Sequence, residues 1–144
     1  MKILQVGAET FKPEEYINTD IDTLDITKPW QYEDNSLDAV IAIHVLQEIP
    51  WRGLVPALME AYRVLKPGGT FRVGVPTIDT GRSLKLLLSW GNVNVFSKDL
   101  LERVFKQIGF KEVKQCNYRG TFSSLDLHLA DNRPDETMYL EATK

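Results

Sequence analysis

The sequence predicts a single α/β domain over residues 1–144, built on an open, mostly parallel sheet with an antiparallel strand pair near its C-terminal end. Two observations carry this prediction. The run Leu37–Ile43 is almost entirely apolar, which is typical of a middle strand that is covered on both faces. Apolar residues also recur at helical spacing between such runs, so that strands and helices alternate along the chain.

The first half of the chain supplies three predicted strands. Ile3–Val6 is an apolar run closed by Gly7, which indicates a first buried strand. Residues 16–21 predict a second strand, which ends in acidic residues. Leu37–Ile43 follows a turn cluster of the Asp-Asn-Ser type and is the third.

Helices and strands then alternate. Residues 52–66 carry apolar side chains at helical spacing and predict an amphipathic helix, which the sequence Lys-Pro-Gly-Gly at 66–69 ends. Residues 70–75 predict the next strand, and the leucine-rich residues 82–90 predict a helix or a cap.

The last predicted elements are a helix and a strand pair. Ser97 is of the residue type that caps helix N-termini, and Gly109 stands where a helix commonly ends. Residues 111–118 and 137–142 predict two closing antiparallel strands joined by a polar loop. The predicted order is therefore three strands, a helix, a strand, a helix and two strands.

Composition excludes several classes of protein. The formal net charge is −3 with no long run of one sign, so nucleic-acid binding through a basic surface is not expected. Cys116 is the only cysteine, which excludes an intrachain disulfide and a cysteine-cluster zinc site, and no metal is expected. A reducing, cytoplasmic location fits this cysteine usage. No signal peptide or membrane span is expected from the short apolar run before Gly7.

Three ordered blocks resemble the middle of the class I S-adenosylmethionine-dependent methyltransferases. Residues 33–40 (EDNSLDAV), 44–49 (HVLQEI) and 62–69 (YRVLKPGG) are similar to that family's strand start, strand exit and helix end, in order and in spacing. Residues 97–113 resemble its last helix and following strand. The resemblance spans roughly residues 1–118 and implies a Rossmann-like methyltransferase fold that uses S-adenosylmethionine.

The resemblance also implies where the cofactor binds. Ligands of open α/β sheets lie beyond the carboxyl ends of the strands, and Gly7 would leave room for the cofactor there. Asp20, with Asp22 as second choice, would accept the two ribose hydroxyls in charge-assisted hydrogen bonds. The remaining candidates are an acid for the adenine amino group, a residue flanking the ring, and two residues beside the methionine portion: Asp25, Ile26, His44 and Val45.

Catalysis of methyl transfer depends mainly on aligning the acceptor with the methyl group. A general base is needed only for a hydroxyl or a protonated amine, and the candidates are His44, Glu48 and His128. His44 equally suits a structural role. Three polar residues of the last loop would face an acceptor, unless that loop is a solvated hairpin: Asp131, Asn132 and Arg133. The expected acceptor is a small molecule or a glycan.

Two functions stay open. The family's usual G-x-G-x-G loop is replaced by Gly-Ala-Glu-Thr-Phe at residues 7–11, which favours a noncatalytic methyltransferase-like subunit that acts through a partner, with or without cofactor binding. The acids Asp20 and Asp25 and the intact middle blocks favour an active enzyme. The absence of G-x-G-x-x-G argues against a nicotinamide-dependent enzyme.

The chain is also short of helices compared with this family. Eight residues separate Gly7 from Tyr16 and two separate Asp22 from Asp25, so both early crossover helices are missing. The remaining helices would leave one apolar face of the sheet bare, which is rare on a soluble monomer. Either residues 82–90 or a second copy of the chain would cover that face, and a homodimer is expected.

Overall fold

A computed structural model describes residues 1–76 and 92–144. The helix or cap expected at residues 82–90 lies outside this part of the chain. The strands are β1 (Ile3–Val6), β2 (Ile17–Asn18), β3 (Leu37–Ile43), β4 (Leu65–Pro76), β5 (Glu112–Cys116) and β6 (Thr137–Thr143). The helices are α1 (Trp51–Val64) and α2 (Lys98–Ile108), with single 3₁₀ turns at Leu46–Glu48 and Leu127–Ala130.

These strands form one mixed sheet in the order β2-β1-β3-β4-β6-β5. Strands β1 to β4 run parallel to one another, and β6 runs antiparallel between β4 and β5. The predicted α/β class, the order of the elements and the closing antiparallel pair are confirmed. Because the first four strands run in one direction, their carboxyl ends meet at one edge of the sheet.

Strands β2 and β4 differ most from their predicted bounds. Strand β2 has two residues instead of the six predicted at 16–21, because the Asp20 carbonyl accepts the N–H groups of Thr23 and Leu24 and the chain turns there. Strand β4 begins at Leu65, which pairs with Leu37. The Lys-Pro-Gly-Gly sequence therefore lies inside an irregular strand start and not in a turn after the helix.

Helix α2 agrees with its sequence signals. The hydroxyl oxygen of Ser97 accepts the N–H of Leu100 at 3.2 Å, which is the expected N-cap bond. Gly109 ends the helix with a φ of +127°, a backbone conformation that favours glycine. Both helices pack on the same face of the sheet, where Leu58 of α1 and Phe105 of α2 join one apolar cluster with Val40.

The opposite face of the sheet is covered by residues 117–134, which we call the cover segment. Its side chains Leu127 and Ala130 are fully buried in a cluster with Ile3 and Ile41 of the sheet. Residues 82–90 or a second copy were expected to cover this face; the cover segment lies on it in the described structure, and residues 82–90 lie outside the described residues. The homodimer stays a prediction, but the bare face that motivated it is absent from the described structure.

A buried ion network attaches the cover segment to the sheet. Arg72 of β4 is fully buried and donates to both carboxylate oxygens of Asp131, at 3.0 and 2.5 Å. Its remaining nitrogen donates to Glu141 of β6, its cross-strand partner, at 2.7 Å. Asp131, expected to face an acceptor, is instead a buried counter-ion, because a guanidinium placed among apolar side chains requires one.

Two further absences apply to the described ranges only. No helix in residues 1–76 or 92–144 is long and apolar enough to cross a membrane. Within the same residues, no group of histidine, cysteine and acidic side chains is arranged to hold a metal ion.

Candidate active site

The carboxyl ends of the parallel strands surround an open groove of about 610 Å³, which we call the outer groove. Gly7 follows β1, Asp20 lies just beyond β2, and His44 follows β3. The groove is lined by all seven residues that the sequence assigned to the cofactor: Gly7, Asp20, Asp22, Asp25, Ile26, His44 and Val45. The structure therefore brings the whole predicted set together.

Gly7 has no room for a side chain. Its φ is +62°, a conformation that strains other residues, and a β-carbon built on it would lie 2.5 Å from Cγ2 of Val45. The backbone after β1 can therefore approach the loop after β3 closely. This close approach brings the backbone after β1 against the loop after β3 at the floor of the outer groove.

Asp20 is held as an ionised carboxylate. Its Oδ1 accepts the backbone N–H of Glu9 at 2.5 Å, and its Oδ2 lies 2.8 Å from the ammonium of Lys12. The bond to Lys12 and then the Glu9 N–H hold the pKa of Asp20 below its ordinary value. With 29% of its side chain exposed, Asp20 can exchange the Lys12 ammonium for a ligand hydroxyl.

The other two aspartates of the groove, Asp22 and Asp25, differ in how tightly their side chains are held. Asp22 is exposed on the rim. Asp25 closes a turn, since its Oδ1 accepts from the backbone N–H and the hydroxyl of Thr27 and its Oδ2 lies 3.1 Å from Lys28. The hydrogen bonds from Thr27 and Lys28 lower the pKa of Asp25. Ile26 is buried beside it and supplies an apolar wall.

His44 lies at the junction of the outer groove with a second space. Its backbone has a φ of +57°, and its Nε2 shares a hydrogen bond with Oγ1 of Thr137 at 2.6 Å. Burial, and then the positive charge of Arg133, lower the pKa of His44 to about 4. The imidazole is therefore neutral at pH 7 and adds no positive charge beside a cationic cofactor.

The second space, which we call the inner cavity, has a volume of about 210 Å³. It shares four lining residues with the outer groove, namely Gly7, Glu9, His44 and Glu48. Burial, and then the charge of Glu9, raise the pKa of Glu48 above its ordinary value. A group in the inner cavity would therefore meet a ligand of the outer groove beside His44 and Glu48.

The candidate general bases are divided between two places. Two of the three, His44 and Glu48, line the inner cavity, and so do Asn132 and Arg133, which were expected to face an acceptor. His128 instead lines a separate pocket with Lys12 and Glu15, so the structure does not bring it to the other candidates. The reason is the burial of the 3₁₀ turn around it, which also shows that the last loop is not a solvated hairpin.

Sequence reasoning missed two glutamines of the inner cavity. Gln5 and Gln47 are each at most 3% exposed, and both line the cavity. The sequence signal for Gln5 was a polar residue inside the apolar run of β1. Gln47 lies in the block at 44–49, in which only His44, Val45 and Glu48 were proposed as site residues.

The residues present fit S-adenosylmethionine. A nucleoside needs an elongated open groove, an acid for its sugar and an apolar wall for its base, and the outer groove offers these in Asp20 and Ile26. The missing side chain at Gly7 also leaves space for the cofactor beside Val45, which a β-carbon at this position would occupy. The four shared lining residues mark the junction of the outer groove with the inner cavity.

Comparison with known families agrees with this geometry. Residues 3–73, just under half of the chain, match the family model for the methyltransferase domain. This range contains β1 to β3, α1 and every residue of the predicted cofactor set. The match supports S-adenosylmethionine as the cofactor. No curated protein matches the sequence.

Solved structures show the same fold. A S-adenosylmethionine-dependent methyltransferase from Archaeoglobus fulgidus is 17% identical, with a TM-score of 0.76 over 99% of this chain and 86% of that one. One from Thermotoga maritima, described as a possible histamine N-methyltransferase, is also 17% identical, with a TM-score of 0.68 over 99% and 82%. The Haemonchus contortus phosphoethanolamine N-methyltransferase 2, in complex with S-adenosyl-L-methionine, is 15% identical, with a TM-score of 0.62 over 100% and 49%.

Proposed function

We propose that this chain, which has the class I methyltransferase fold and matches the methyltransferase domain family over residues 3–73, transfers a methyl group from S-adenosylmethionine to a small-molecule or glycan acceptor. The observation that carries the proposal is the outer groove, which gathers the seven cofactor candidates and opens into the inner cavity. When bound, S-adenosylmethionine supplies an activated methyl group on a sulfonium.

The protein's contribution is mainly orientation. Asp20 accepts the ribose hydroxyls after giving up Lys12, and Ile26 flanks the base. Gly7 lets the backbone approach the cofactor, and Val45 fills the space above it. An acceptor in the inner cavity is then held in line with the methyl group, which is the alignment that methyl transfer requires.

Proton removal falls to Glu48 in preference to His44. A histidine with a pKa of about 4 binds a proton too weakly to take one from a hydroxyl or an ammonium group at neutral pH. The raised pKa of Glu48 brings its basicity closer to that of such groups. His128 has no part in this step because it lines a different pocket.

One observation favours a noncatalytic subunit as the second candidate. The carboxylate proposed for the ribose already holds Lys12 and the Glu9 N–H, so cofactor binding must compete with an internal ion pair. A chain with weakened cofactor binding would act through a partner protein.

Calorimetric titration with S-adenosylmethionine and S-adenosylhomocysteine, followed by turnover against an acceptor panel, separates the two functions. We expect both ligands to bind and the methyl group to be transferred. If neither ligand binds, the enzyme proposal fails. Binding of both ligands without transfer to any member of the panel favours the noncatalytic subunit.

A further inference from the structure

The walls of the inner cavity are rich in hydrogen-bond acceptors. Two carboxylates, those of Glu9 and Glu48, line it together with the buried side chains of Gln5 and Gln47. The two carboxylates lie near enough for the charge of Glu9 to raise the pKa of Glu48. The cavity thus combines negative charge with side chains that are more than nine-tenths buried.

The two glutamines leave acceptor oxygens unused. The amide nitrogen of Gln5 donates to the carbonyl of Phe11 at 3.1 Å, which fixes the orientation of the amide and leaves Oε1 as its free end. Neither this oxygen nor Oε1 of Gln47 has a hydrogen-bond partner, although both are buried. Buried acceptors without a donor destabilise a protein, so each of these oxygens calls for a donor that the described residues do not supply.

From this we infer that the inner cavity binds an amine, so that the methyl acceptor of this chain is a nitrogen that enters as an ammonium group. The inference rests on the proposed methyltransferase function and specifies its substrate class. An ammonium group carries several N–H donors, no acceptor and one positive charge. It is therefore complementary to two carboxylates and two unpartnered amide oxygens, whereas a carboxylate or phosphate would be repelled by Glu9 and Glu48.

The cation of the cavity wall does not cancel this preference. Arg133 also lines the cavity, but 48% of its side chain is exposed and its Nη1 lies 3.9 Å from Glu136. Water screens the exposed charges of Arg133, Glu9 and Glu48 alike, but the cavity sets two carboxylates against one guanidinium, whose charge is shared with Glu136. The pKa of Glu48 is raised despite Arg133, because burial and Glu9 outweigh it.

The reaction balances with Glu48 as the proton acceptor. An ammonium nitrogen has no lone pair, so it first loses one proton to the Glu48 carboxylate. The neutral amine nitrogen then attacks the methyl carbon of S-adenosylmethionine in line. The N–C bond forms, the C–S bond breaks and its electron pair stays on sulfur. The products are a protonated N-methylamine and a neutral thioether.

Ligand-observed NMR titration of the chain loaded with S-adenosylhomocysteine tests this preference without turnover. Butylamine, butanol and butyrate are the probes, since they share a carbon chain and differ in the end group. We expect butylamine to bind at least tenfold more tightly than the other two. Equal binding of the three probes, or a preference for butyrate, overturns the inference while leaving the proposed function standing.

Substitutions locate the effect in the cavity. We expect Glu48→Gln to remove most of the tenfold preference for butylamine, and Glu9→Gln, an exposed position whose substitution does not threaten folding, to reduce it severalfold. Glu112→Gln removes an exposed carboxylate from β5, far along the sheet, and is the matched control that keeps the preference. An undiminished preference in both cavity variants overturns the inference.

The cofactor's own ammonium group is the competing occupant. Methylthioadenosine lacks the whole amino-acid portion, both its ammonium and its carboxylate, so the affinity ratio of S-adenosylhomocysteine to methylthioadenosine reports how strongly that portion is held. If Glu48→Gln and Glu9→Gln lower that ratio tenfold and leave butylamine binding unchanged, the cavity serves the cofactor and the inference is overturned. If S-adenosylhomocysteine does not bind the wild-type chain at all, the proposed function fails and the inference with it.

Discussion

Arg72 and Asp131 are 59 residues apart in the sequence and form a two-point ion pair that water does not reach. The pair joins a central strand to the cover segment. Glu141 completes it from the neighbouring strand, so one cation is shared by two buried carboxylates. The next two residues after Asp131 are Asn132 and Arg133, which line the inner cavity. The ion pair therefore fixes the position of one wall of the candidate site.

Replacing Arg72 with Met should destabilise the fold strongly. The substitution leaves two carboxylates buried without their counter-ion, and removing one partner of a buried pair costs about 3–5 kcal/mol. Urea denaturation measures the loss. Arg103→Met is the control, because its ion pair with Asp99 is 75% exposed on both sides and its removal should cost less than about 1 kcal/mol. Similar losses in the two variants would contradict the buried network.

Replacing Gly7 with Ala should lower the affinity for S-adenosylhomocysteine at least tenfold, about 1.4 kcal/mol. The new β-carbon would lie 2.5 Å from Val45, so the loop after β1 must move away from the groove. Gly68→Ala is a matched control with a φ of +80° and no atom within 4 Å of the added carbon. It should cost about 1–2 kcal/mol of stability and leave binding unchanged. Unaltered binding in Gly7→Ala would remove this glycine from the site.

Replacing Asp20 with Asn should weaken S-adenosylhomocysteine binding about tenfold, or about 1.4 kcal/mol by calorimetry. Asparagine keeps the size of the side chain and an oxygen for the Glu9 N–H, but it loses the charge that strengthens bonds from ribose hydroxyls. Asp22→Asn, at the exposed rim, should change binding less than threefold. The reverse order of effects would assign the ribose to Asp22.

The free energy of unfolding should decrease as the pH falls from 6.5 to 4, because His44 takes up its proton more readily in the unfolded chain. The ordinary pKa of histidine is 6.5, whereas that of His44 in the folded chain is about 4. As the pH falls through this window the unfolded chain takes up a proton that the folded chain does not, so stability decreases by up to about 3 kcal/mol. His44→Asn removes the titrating imidazole, so this pH-dependent loss of stability should be absent in that variant. Asparagine also tolerates the positive φ at this position.

Melting temperatures of wild type and His44→Asn across this window provide the test. We expect the wild-type curve to fall more steeply toward pH 4, with the difference between the curves developing below pH 6.5. Parallel curves would show that the imidazole is not held neutral by its surroundings.

The sequence predicted those elements whose signals are local. Strands β1 and β3 have their predicted bounds because continuous apolar runs define them, and the cap at Ser97 forms within one helical turn. The meeting of Gly7, Asp20 and His44 in one groove was also predictable, since each lies just beyond a strand and parallel strands end together, whereas their binding of the cofactor stays a prediction. The predicted strand at residues 16–21 was longer than β2 because the chain turns at Asp20. That turn includes hydrogen bonds between the Thr23 hydroxyl and the backbone of Asp20, which the apolar pattern does not indicate.

The cover segment could not be predicted because its anchors are distant in sequence. In the sequence, Asp131 is one of several polar residues in a polar loop. Only the folded structure shows that it pairs with the buried Arg72. Likewise, the hydroxyl of Tyr16 donates to the carbonyl of Asp126, a contact that no local pattern indicates. Burial of the cover segment also separates His128 from the other candidate bases. His128 and Asn132 are only four residues apart, yet they line different pockets.

The position of β6 between β4 and β5 constrains how the chain folds during synthesis. The sheet cannot be completed until Thr137–Thr143 has left the ribosome, because β5 pairs with β6 alone and β4 needs β6 along one whole edge. Until then the apolar β4 exposes an unpaired edge, which is the kind of surface that promotes aggregation of nascent chains. Premature termination before residue 137 should therefore yield an insoluble product even though every residue of the outer groove has been made.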